Sequence, residues 1–288
     1  MENVRWSVRK SSFFIFASLL TYALGAFLAG FESSRINGSS LLIGILFFLT
    51  VLALRQLFNY LTSSKINPYS RVSFERGNRK GQLFIVTMVL FMLYLFLVYA
   101  LLRLNKLIGV NLIYIVFITL LMLMTITRTG KMAFQTYSVI IEGLIVSPLM
   151  LLFGSGLQDL NPRGGHLFLT LAFFSLYIAT RTSLLFEDYG KEQKTPDRSL
   201  LDLIGWENGI RLQNISLVAA YLIFFYYFFR NGSLGVNAPV LFTAIFGVFS
   251  MYLLNRMARG MKPHWQIIKA TAFLHFFAVC YLLVFPLI

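Results

Sequence analysis

Carboxylates, arginines and amides embedded in apolar sequence are where chemistry would have to begin in this chain. Asp188 and Glu192 are four residues apart, so a helix running through them would present both carboxylates on one face. Such a pair suits a hard divalent cation, with phosphate oxygens of a substrate completing the coordination. A solvated loop of mixed charge is the plainer use of the same residues. Four more ionisable residues, Arg55, Glu142, Arg181 and His275, lie inside apolar runs. Charge in hydrocarbon is expensive and normally faces a cavity or a partner. Counted from the ends of their runs at about 1.5 Å per residue, all four lie roughly 10 to 14 Å from one face, which predicts a single polar chamber. Gln56, Asn59 and Tyr60 fall on or beside the turn carrying Arg55 and would add amide and oxygen groups to its wall. An Arg55–Glu142 or Arg181–Glu142 pair that only locks helices together, with His275 as a packing residue, would use the same side chains without a chamber.

The elements that must position these residues follow from composition. Of 288 residues 58% are hydrophobic and only 12% charged, outside the make-up of a soluble domain. Apolar stretches near residues 11–31, 39–63, 82–103, 108–126, 134–154, 166–187, 212–230, 237–256 and 266–288 predict nine spans. Each is about 20 residues long, enough for a hydrocarbon core of roughly 30 Å. They lack the period-two alternation of barrel strands, and backbone groups in lipid must pair internally, so an all-α polytopic membrane protein is expected. Arg5, Arg9 and Lys10 before the first run could open a signal peptide, but the run is long and leads straight into further spans, so it reads as a retained helix.

The net charge of +14 could suggest nucleic acid, yet its distribution argues for a membrane. With the N-terminus in the cytoplasm, eighteen lysines and arginines fall on the cytoplasmic side and five outside. That asymmetry predicts N-terminus in and C-terminus out, with anionic lipid headgroups as sufficient partners and no nucleic acid. The same charge would attract a diphosphate. The single cysteine, Cys280, lies inside the last span, which excludes an intramolecular disulfide. The 30 Phe and 14 Tyr could line a pocket for isoprenoid chains or carbocations, although such residues more often face lipid.

Nine spans, polar cytoplasmic loops after the second and sixth, and the run Asp188-x-x-x-Glu192-x-x-x-Pro196-x-x-Ser199-Leu200 resemble the UbiA-type intramembrane prenyltransferases. The run is similar to that family's second signature, usually D-x-x-x-D-x-x-x-G-x-x-S/T-L, with Glu for the second Asp and Pro for Gly. The first signature, N-D-x-x-D-x-x-x-D at the end of helix two, departs further. Asn59-Tyr60-x-x-Ser63-x-x-x-Asn67 falls on it, keeping the leading Asn and replacing every aspartate. No other register supplies them, because no carboxylate lies between Glu32 and Glu75.

The resemblance implies one transmembrane domain over residues 1–288, with helices around a cavity open to the cytoplasm, in a bacterial or archaeal cell membrane. It implies a prenyl diphosphate held through magnesium by Asp188 and Glu192, with Arg128, Lys131 and Lys194 as counterparts of the family's basic diphosphate contacts. Neutral Asn59, Tyr60, Ser63 and Asn67 would weaken a two-metal site severely, since they do not neutralise magnesium as carboxylates do. Arg55, with Arg71, Arg128, Lys131, Lys194 and Arg198 around the mouth, would then bind phosphate directly. The expected activity is prenyl transfer or cyclisation, with Arg55, Asn59, Tyr60 and Glu142 nearest the chemistry and Gln56, Ser63, Asn67, Arg181 and His275 among the substrate contacts. A non-catalytic relative that binds a lipid, a quinone or a partner subunit is the alternative, and a small transporter a more distant one.

Overall fold

The computed structural model describes residues 2–33, 36–63, 73–104, 106, 109–126, 136–158, 165–187, 189 and 199–285. All regular structure among them is helical. The chain divides into two compact units, residues 37–134 and residues 1–36 with 135–288. Among the described residues, eight helices are long and apolar enough to cross a membrane. The chain is therefore an all-α polytopic membrane protein, as its composition predicts.

The unit of residues 37–134 contains α1′s successor helices, numbered here in chain order after α1 (Glu2–Glu32): α2 (Gly38–Ser63), α3 (Ser73–Arg103) and α4 (Val110–Ile126). Asn37 starts α2 by accepting from the Ser40 amide at 3.2 Å and the Ser39 hydroxyl at 2.7 Å. Phe47 of α2 meets Tyr94 of α3 at 5.4 Å and Tyr114 of α4 at 6.3 Å between ring centroids. The Tyr94 hydroxyl pairs with Thr119 Oγ1 at 2.8 Å, so the phenol keeps a partner away from water. The other face of α3 carries exposed Phe84, Ile85, Met92 and Phe96, an apolar surface suited to lipid.

The other unit contains α1, α5 (Ser138–Gln158), α6 (Gly165–Leu185), α7 (Leu200–Arg230), α8 (Leu234–Ala258) and α9 (Trp265–Val284). In α5 the segment Ile145–Leu149 widens into a π-turn around Pro148, whose missing N–H breaks the regular ladder. Both neighbours engage that turn: Thr21 of α1 donates its hydroxyl to the Val146 carbonyl at 2.6 Å, and the Thr170 carbonyl of α6 accepts from the Ser147 hydroxyl of the turn. Beyond the turn, α5 and α1 pack backbone to backbone. A Cβ on Gly25 would lie 2.0 Å from the Leu151 carbonyl oxygen, and one on Gly154 would lie 2.2 Å from that of Tyr22. Such small-residue contacts let membrane helices associate where the hydrophobic effect supplies little drive.

Phe13, Phe173, Tyr177, Phe224 and Phe276 form the buried aromatic centre of this unit, joining α1, α6, α7 and α9. Phe173 and Phe224 meet edge to face at 5.5 Å, a favoured geometry for aromatic quadrupoles. The helix α7 begins at Leu200, well before the apolar stretch expected from residue 212, with a capped first turn. Ser199 and Asp202 form a capping box there, with the Ser199 amide donating to Asp202 Oδ2 at 2.9 Å and the Asp202 amide to Ser199 Oγ at 3.4 Å. Gly205, with φ at 82°, then turns the backbone before the main run.

Candidate functional site

Glu142 sits near the start of α5, and Arg181 near the end of α6, so antiparallel packing brings both to the same end of the unit. Arg181 Nε donates to Glu142 Oε2 at 3.0 Å, with side chains only 8% and 10% exposed. Tyr177, one turn earlier on α6, donates its hydroxyl to the same oxygen, also at 3.0 Å. Positions 177 and 181 share a helix face, which is why two donors converge on one carboxylate oxygen. A buried ion pair pays a large desolvation cost that only close contact and added hydrogen bonds offset. The Tyr177 bond is such an addition, made by a residue that no charge or motif in the sequence singles out.

The structure thus joins two of the residues expected in a polar chamber. Measured along the helices, Glu142 and Arg181 lie about 6 Å inside Ser138 and Leu185, whereas His275 lies about 15 Å inside Trp265. His275 is buried with Tyr221 of α7, whose hydroxyl is 2.6 Å from its Nε2. On α6 the residues facing His275 are Ala179, Thr180 and Ser183, a different side of the helix from Tyr177 and Arg181. In the separate unit, Arg55 is half-buried and Gln56 exposed on α2, and Asn59, Tyr60 and Ser63 belong to the last turns of that helix.

The signature loop has an ordered frame. The helix α6 ends at Leu185 and Phe186–Glu187 form a turn, so the same-face placement of Asp188 and Glu192, which required the helix to run on, loses its support. Phe186 packs edge-on against Trp206 at 4.5 Å, and Tyr189 meets the same indole at 5.6 Å. Glu187 forms an ion pair with Lys269 at the start of α9. On the far side of the loop, Ser199 caps α7. Asp188, Glu192, Lys194 and Arg198 lie outside the described residues, as do Asn67, Arg71, Arg128 and Lys131.

Short connections reverse the chain between α7, α8 and α9, which returns exposed Arg256, Arg259 and Lys262 to the end of the unit that carries the signature loop. That end is consequently basic. Among the described residues no group of three or more His, Cys, Asp or Glu side chains has the arrangement of a metal site. The carboxylates on which magnesium binding was expected are outside that set, so the described residues offer no donor group against which the ion can be fitted.

No protein-family model matches the sequence, and no curated protein matches it significantly.

Proposed function

We propose that this chain is a UbiA-type integral membrane protein that handles an isoprenoid, transferring or cyclising the prenyl group of a prenyl diphosphate at an altered metal site. The observation that carries the reading is the frame around the Asp188 signature. One end is pinned by the Phe186–Trp206 contact and the Glu187–Lys269 ion pair, the other by the Ser199 capping box.

In this reading α4 is the ninth span, the N-terminus is cytoplasmic, the C-terminus is outside, and a cavity opens toward the cytoplasm. With 17 residues α4 is about 25 Å long, short of a core of about 30 Å but within what modest bilayer thinning accommodates. Asp188 and Glu192 would hold magnesium, which would neutralise charge on the departing diphosphate. Arg55, Arg71, Arg128, Lys131, Lys194 and Arg198 would stabilise that anion in place of the lost aspartate–metal contacts, and the membrane interior would keep water from the carbocation. Magnesium-dependent release of diphosphate from a labelled prenyl diphosphate tests this activity, and equal release by the Asp188→Asn, Glu192→Gln double variant would remove it.

A second reading is a non-catalytic relative that binds a lipid, a quinone or a partner subunit. It is favoured by the Arg181–Glu142 contact, in which the guanidinium already has a carboxylate partner, and by the missing aspartates of the first signature. Mass spectrometry of lipids that copurify with the protein distinguishes it: a lipid-free preparation that turns over prenyl diphosphate contradicts the second reading.

A further inference from the structure

Four helices of the larger unit, α6, α7, α8 and α9, surround a small cavity to which several polar side chains contribute although it lies among apolar spans. Thr180, Ser183, Gln213, Ser250, Thr271 and His275 contribute the polar groups, set among small Ala179, Gly247 and Ala272. About 10 Å3 is open to the centre of a water-sized body, close to the smallest volume that holds one water. Gln213 is 2% exposed, and its Oε1 has no hydrogen-bond partner. An orphaned amide oxygen at this depth costs about 1–3 kcal/mol, so something must offset it.

The proton count around the cavity specifies what. Thr180 Oγ1 donates to the Leu176 carbonyl and Ser183 Oγ to the Thr180 carbonyl, both at 2.7 Å, so each hydroxyl has only acceptor capacity left for the cavity. Thr243 Oγ1 donates to the Val240 carbonyl at 2.6 Å, which makes Tyr221 the donor in its 2.7 Å contact with Thr243. The Tyr221 oxygen therefore accepts from His275 Nε2–H at 2.6 Å, and the neutral ring carries its remaining acceptor on Nδ1. Thr180 Oγ1, Ser183 Oγ and Gln213 Oε1 thus offer acceptors, while the Gln213 amide nitrogen and the Ser250 and Thr271 hydroxyls offer donors, a mixture that suits a ligand able both to donate and to accept. The lining contains no carboxylate, so a cation would enter the membrane interior without a counter-charge.

We propose that this cavity is a binding site for one water molecule, which donates to Gln213 Oε1 and to a second acceptor of the lining and so bridges α7 to a neighbouring span within the bilayer. The site extends the Thr243–Tyr221–His275 chain toward α6, and its existence does not depend on the isoprenoid reading. X-ray hydroxyl-radical footprinting of the protein in lipid nanodiscs, in 18O-labelled water, tests it, because radicals formed from a bound water oxidise only its neighbours. The expected result is 18O incorporation at His275 and Leu217 while lipid-facing Leu222 stays unmodified, with labelling of His275 reduced several-fold in the nearly isosteric Gln213→Met variant. If that variant does not fold, Thr271→Val is read in the same way. His275 and Leu217 as unreactive as Leu222, or labelling unchanged by the substitution, would overturn the proposal.

Discussion

Glu142 and Arg181, 39 residues apart in the chain, meet 3.0 Å apart through a single carboxylate oxygen that Tyr177 also holds. Removing one member leaves its partner as an uncompensated buried charge. Glu142→Gln or Arg181→Met should therefore destabilise the protein by about 3–5 kcal/mol, read as a lowered unfolding temperature in detergent or nanodiscs. The double variant Glu142→Leu, Arg181→Met separates a helix lock from a functional pair. Recovery of stability with loss of prenyl diphosphate turnover marks a functional pair, and recovery of both marks a lock.

The contact between α1 and α5 depends on two residues having no side chain. Gly154→Ala would force its methyl to within 2.2 Å of the Tyr22 carbonyl oxygen, a backbone atom that cannot rotate away. The helices must separate, at a cost of about 1–3 kcal/mol or more by analogy with overpacked cores. Gly235→Ala is the control, since nothing lies within 4 Å of its added methyl. A helical alanine there should be neutral or stabilise by about 0.5–1 kcal/mol. Thermal unfolding of the two variants side by side measures the difference.

The fold class was legible because lipid forces helices and the apolar runs are long, and eight of those runs coincide with helices of spanning length. Glu142 and Arg181 stood out for the same reason, as charges in an apolar setting. What surrounds them was less readable. Tyr177 is one of 14 tyrosines, and nothing in its neighbourhood announces a carboxylate partner. The contact that Thr21 makes at the widened turn joins it to Val146, 125 residues away, and no local pattern announces it. Gln213 and His275 gain their meaning only when four spans converge on a cavity. The start of α7 was less legible because Asp202, Glu207 and Arg211 break the apolar pattern, although the chain is helical on both sides of the turn at Gly205.

Topology hinges on α4, because an added span moves the C-terminus to the opposite side. With Cys280 replaced by alanine, single cysteines at Lys106, Asn231, Arg128 and Lys262 report side by their reaction with a membrane-impermeant maleimide added outside. Labelling at Lys106→Cys and Asn231→Cys, with Arg128→Cys and Lys262→Cys protected, is the expected pattern under the asymmetry of basic residues. Lys106→Cys and Arg128→Cys reacting from one side would remove α4 as a span.

Binding of a prenyl diphosphate by the protein in nanodiscs, measured at equilibrium with and without magnesium, tests most directly whether the framed Asp188 loop is an isoprenoid diphosphate site. The expected result is binding that magnesium strengthens in the native protein and no longer strengthens in the Asp188→Asn, Glu192→Gln variant. No binding, or binding with the same magnesium response in both proteins, would contradict it.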